Sequence, residues 1–144
     1  MKKLLLAVVL ICAMASAPAL ADSANSDILA GNEAASMENY ELAVSYYDKA
    51  INSSTLSNKQ LAVAYNNRGC AYDDWGKEQQ ALADFNKAVS LDPGYDAPYF
   101  NRSFIYERNK DFAKAIADME KAMNLDPGFE DFKIRLEWLR EQKP

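Results

Sequence analysis

The sequence predicts an all-α protein, a helical repeat array of stacked two-helix hairpins. Two observations carry that expectation. Tyr65, Gly69, Tyr72, Ala81, Phe85, Ala88 and Pro93 return 34 positions later as Tyr99, Ser103, Tyr106, Ala115, Met119, Ala122 and Pro127. The turn Leu91-Asp92-Pro93-Gly94-Tyr95 returns as Leu125-Asp126-Pro127-Gly128-Phe129. A fixed period of this kind marks units that bury their apolar faces only against their neighbours.

The first element is a leader, predicted over residues 1–21. Lys2 and Lys3 precede an apolar run from Leu4 to Ala15, and Ala19-Leu20-Ala21 supplies the small-x-small cleavage pattern of a secretory signal peptide. The run is nearly long enough to span a bilayer, but Pro18 and its small neighbours argue against a retained anchor. Ile11 before Cys12, in place of Gly or Ala, argues against a lipoprotein signal. The leader implies export, with the periplasm as first destination and secretion as the alternative, and a mature chain of one domain, 22–144.

A first repeat is expected over about 24–57. Gly31, Ala43, Tyr47 and Ala50 answer Gly69, Ala81, Phe85 and Ala88 at a shift of 38 instead of 34. The four extra residues belong in the polar stretch between Asn52 and Lys59, read as an exposed turn whose lengthening costs little closure entropy.

The second repeat, 62–95, states the unit most fully. Leu61, Ala64, Tyr65, Arg68, Gly69 and Tyr72 keep helical spacing until Asp73-Asp74-Trp75-Gly76, with Gly76 placed for a left-handed helix end. Ala81, Leu82, Phe85, Ala88, Val89 and Leu91 form the second helix, which Asp92-Pro93-Gly94 stops. The short turn makes the pair antiparallel. Gly69 and Ala81 are small so that the axes can approach to ~8–10 Å. A glycine inside a helix costs up to ~1 kcal/mol against alanine, so its place at the crossing implies a packing gain. Tyr65, Tyr72 and Phe85 are read as core around that crossing.

The third repeat, 96–129, follows the same plan. A closing helix is expected over 130–142, where Phe132, Leu136 and Leu139 make one apolar stripe to cover it.

The aromatic, glycine, aromatic, alanine, bulky residue, alanine and proline of Tyr65, Gly69, Tyr72, Ala81, Phe85, Ala88 and Pro93 resemble the signature of the tetratricopeptide repeat family. The resemblance covers nearly all of the mature chain. Repeat three departs at Ser103 and Met119. Repeat one departs further, with Asp27 and Ala34 at the aromatic positions and Thr55 at the proline.

Composition narrows the functions. Sixteen basic and 21 acidic residues give a net charge of −5, which becomes −7 once Lys2 and Lys3 leave with the leader. An acidic chain without a Lys/Arg cluster is a poor match for nucleic acid or an anionic membrane surface. No second apolar segment would span a membrane after cleavage. The chain has no histidine, and Cys70 is the one thiol of the mature chain. The usual ligands of zinc and the Ser-His and Cys-His catalytic arrangements are therefore missing. Paired carboxylates would need a closed, desolvated pocket, which a short open array does not offer. The expectation is a protein that is not an enzyme and carries no cofactor or metal.

The resemblance implies that the first helix of each repeat lines a concave groove. Helical offsets from the small residue then place Asn32, Asn66, Asn67, Cys70, Asp74, Phe100, Asn101, Phe104 and Arg108 on that face. A carboxamide both donates and accepts, so the asparagines suit an extended peptide backbone, with Phe100 and Phe104 adding apolar contact. They are equally readable as solvated helix residues. The carboxylate clamp of related co-chaperones is not reproduced, because Ile28, Ala97 and Asn101 stand where its cations belong. Asp73, Asp74 and Glu107 make the groove edge acidic, as an attraction for a basic segment or simply as a soluble helix end. Cys70 reads first as a small filler and second as a redox-sensitive contact in an oxidising compartment. The function implied is a non-catalytic adaptor that binds a peptide segment or helix of another exported protein. The alternatives are a homodimerisation module or a subunit of a larger envelope complex.

Overall fold

The computed structural model describes residues 22–142, which form seven α-helices and no strand among them. The expected leader lies outside the described residues. The helices fall into two compact units that divide after Ser57. Among the described residues no helix is long and apolar enough to cross a membrane.

The first unit is one hairpin, α1 (22–36) and α2 (Tyr40–Asn52). Its turn places Glu38 at φ 59°, and Asn39 caps α2 by accepting from the Leu42 backbone N–H at 3.3 Å. Gly31 is small for a visible reason: a Cβ there would lie 2.6 Å from the buried Tyr47 ring. The Tyr47 hydroxyl donates to the Asn32 carboxamide oxygen at 2.8 Å.

The second unit holds α3 (Asn58–Asp74), α4 (Glu78–Leu91), α5 (Ala97–Arg108), α6 (Phe112–Leu125) and α7 (Glu130–Gln142). α3 pairs with α4 and α5 with α6, α4 joins the hairpins, and α7 packs on α6. Gly76 takes φ +77°, as its position after Asp74 demands. Asp92, held out of the helical region by Pro93, ends α4 in an extended conformation at φ −139°. At the first crossing a Cβ on Gly69 would lie 2.8 Å from the Phe85 ring. The second crossing solves the same problem with Ser103 and the flexible Met119, both buried. Phe132, Leu136 and Leu139 of α7 join Tyr99, Ala115, Met119 and Ala122 in one core cluster.

The repeat is also written in ions. Arg68 grips Asp84 with two bonds of 2.8 and 2.7 Å, and Arg102 grips Asp118 with 2.7 and 2.6 Å. Both pairs are largely buried, where bidentate geometry matters most.

One sequence expectation changes. The extra residues after Ala50 do not lengthen a loop, because the segments 53–57 and 92–96 are equally long. They appear as an added turn at the start of α3, which has 17 residues against 12 in α5. A polar stretch that extends a helix leaves fewer backbone groups unpaired than a wider loop.

Candidate functional site

In the second unit α3 and α5 lie side by side. Asn101, Phe104 and Arg108 project from α5 at helical spacing, opposite Cys70, Asp73 and Asp74 of α3. With Phe85 beneath, these residues line an open cleft of about 300 Å³. Five of the nine expected groove residues therefore meet in one place.

The asparagines are coupled to one another. The Asn101 amide donates to the Asn66 oxygen at 3.0 Å and to the Cys70 sulfur at 3.2 Å. Asn66 in turn donates to the Asn67 oxygen at 3.3 Å and to the Tyr95 hydroxyl at 3.4 Å. Asn66 is only 4% exposed, so its expected place on the open face is corrected. It sits under the face and orients Asn67 and Asn101. Tyr95, from the loop after α4, was missed as its partner, although Tyr95 and Phe129 share one place after Asp-Pro-Gly. Asn67 lies one turn before Cys70 on the same side of α3. Asn32 belongs to the first unit, where Tyr47 engages it.

The electrostatics follow from burial and pairing. Burial first, then the charges of Asp74 and Asp73, push the Cys70 thiol up to about 12. A thiol so raised stays protonated near neutral pH, which weakens it as a nucleophile. Arg108 is tied to Asp73, with one bond of 3.2 Å, and lies 3.8 Å from Glu78. Those partners raise its own pKa, the Asp73 hydrogen bond first. Asp74 is also raised, by partial burial and by its neighbour Asp73.

Phe100 faces a second cleft of about 290 Å³, between the start of α5 and the start of α7. Its rings are mutually packed: Phe100 lies 4.9 Å from Phe132 and 4.8 Å from Phe104, and Phe129 lies 4.7 Å from Phe132. Asp96 and Asp126 complete the lining. Nothing in the sequence spacing marks these carboxylates as neighbours of Phe129. Arg135 of α7, held by Glu107 at 2.5 Å, stacks near Phe104 and Trp138. This set offers amide donors and acceptors, aromatic faces and carboxylates, which is chemistry for recognition.

The tetratricopeptide repeat profile matches residues 28–54, 62–95 and 97–129, well over half of the chain. No protein of curated function matches the sequence significantly. Among solved structures, a tetratricopeptide domain of Arabidopsis OM64 is 26% identical, with a TM-score of 0.77 over 86% of this chain and 99% of that one. The first such domain of Spaghetti (RPAP3), bound to the HSP90 peptide SRMEEVD, is 23% identical, with a TM-score of 0.75 over 84% of this chain and 93% of that one. The Sgt2 domain of Aspergillus fumigatus is 21% identical, with a TM-score of 0.72 over 83% and 78%. The three profile matches follow the hairpin units of the fold, and the chain belongs to the tetratricopeptide repeat family.

Proposed function

We propose that the protein is a non-catalytic adaptor whose α3–α5 face holds an extended segment or helix of another protein. The observation that carries this reading is the Asn67–Asn66–Asn101 chain, which holds the Asn101 carboxamide at the wall of an open cleft beside Phe104. Each backbone hydrogen bond contributes only ~0.5–1.5 kcal/mol net, so the aromatic surface has to share the task. A fold-mate, the RPAP3 domain, has been captured with a peptide, which supports the class of ligand. The leader motif in residues 1–21 adds export to the proposal, with partners in the periplasm or outside the cell.

Changing Asn67 and Asn101 together to alanine tests the reading. A partner captured by the native chain from an envelope extract should be lost with the double variant, while helicity stays native and the melting temperature falls only by the few degrees that the lost Asn66 hydrogen bonds account for. Equal recovery by both would move the interface off this face.

A second reading rests on α7. Ile134, 59% exposed, and Trp138, 39% exposed, stand one turn apart on that helix. They suit self-association, which sedimentation of the isolated protein reads directly as twice the monomer mass.

A further inference from the structure

The cations of the second unit's binding face are already engaged. Arg108 is held by Asp73 with Glu78 nearby, and Arg135 by Glu107. The carboxylates of the aromatic cleft are not. Asp96 stands at the start of α5 but its side chain makes no capping bond, and the Asp126 carboxylate accepts only from the Gly128 backbone N–H at 3.1 Å. Among the described residues neither is paired with a cation. The rings of Phe100, Phe129 and Phe132 line the same cleft, and Phe129 remains 44% exposed.

Resting on the adaptor reading, we infer that the α5–α7 cleft anchors a polypeptide segment through an apolar side chain with an adjacent lysine or arginine. The side chain seats in the open cleft against the packed phenylalanine rings, and its basic neighbour meets Asp96 and Asp126. The reason is charge complementarity. A ligand carboxylate arriving here finds each nearby guanidinium already bonded, whereas a ligand cation finds two unpaired carboxylates beside an apolar site. A buried aromatic anchor with a charged rim is how a small interface concentrates its affinity. An acidic tail such as that bound by the RPAP3 domain would meet repulsion instead.

Fluorescence polarisation of the purified full chain tests this with three labelled peptides of Gly-Ser flanks around Lys-Leu-Lys, Glu-Leu-Glu or Lys-Ser-Lys. The first should bind, and more tightly than the other two. Phe129→Ala, at an exposed position, should weaken it about tenfold. Asp96→Asn with Asp126→Asn should weaken it and remove most of its salt dependence. Circular dichroism melts establish that each variant is folded. Failure of the Lys-Leu-Lys peptide to bind, equal binding of the Glu-Leu-Glu peptide, or indifference to Phe129→Ala overturns the inference. If binding ignores Phe129→Ala but falls in Asn67→Ala/Asn101→Ala, the adaptor reading stands and this anchor does not. If it ignores all three variants, both fall.

Discussion

At Gly69 two magnitudes compete. Replacing an interior helical glycine by alanine gains up to ~1 kcal/mol of helix propensity, but the added Cβ would sit 2.8 Å from the enclosed Phe85 ring. Overpacking costs ~1–3 kcal/mol, so Gly69→Ala should be a net destabilisation of about 1 kcal/mol. Adding Phe85→Met should recover part of it, because Ser103 and Met119 already coexist at the next crossing. A thermal double-mutant cycle that showed simple additivity would refute the coupling. Cys70 makes a separate test. Its thiol is raised from 9.0 to about 12, so the stability linked to it is complete below pH 9 and is lost as pH climbs toward 12. At pH 8 a disulfide reagent should modify the folded chain on the order of a hundredfold more slowly than the denatured chain. Comparable rates would show that the thiol is open.

Each hairpin turn uses a left-handed residue at the same place: Glu38, Gly76 and Lys110, at φ 59°, 77° and 59°. Only the middle one is glycine. The helix that follows is capped by Asn39 in the first repeat and by Asp111 in the third, whereas Lys77 makes no side-chain cap. The repeats thus divide two local devices between them. A non-glycine residue in this conformation is disfavoured by ~1–2 kcal/mol, part of which glycine returns as unfolded-state entropy. Lys110→Gly should stabilise by about 0.5–1 kcal/mol in urea unfolding, and Gly76→Ala should destabilise by a similar amount. A loss of stability in Lys110→Gly would mean that its side chain supplies more than the turn.

The largest scale joins unequal parts. The second unit has five helices and two buried Arg–Asp pairs. The first is a single hairpin, and Ala30 and Tyr46 stand where the register of the later repeats would place arginine and aspartate. In a repeat array, stability is a sum of unit and neighbour terms, so weak units open first. Amides of α1 and α2 should exchange with solvent faster than those of α3 to α6. Uniform protection in a hydrogen-exchange measurement would require one cooperative body.

The all-α repeat plan was legible because it is written in contacts a few residues apart and then repeated. Gly69 against Phe85, Gly76 in its turn and Pro93 after α4 each follow from spacing alone. The Arg68–Asp84 pair is legible too, since arginine and aspartate 16 residues apart recur as Arg102 and Asp118, although apolar periodicity carries no trace of it. The face of α3 and α5 could be drawn by helical offsets, which is why Cys70, Asp74, Asn101, Phe104 and Arg108 fell together. Offsets do not tell which side chain a neighbouring loop covers. Only the tertiary structure buried Asn66 under Tyr95, tied Arg108 to Asp73, and brought Asp96 and Asp126 to the rings of Phe129 and Phe132. Those meetings depend on how α5 stacks on α3 and α7 on α6, and the period of a single helix carries no information about its neighbours' side chains.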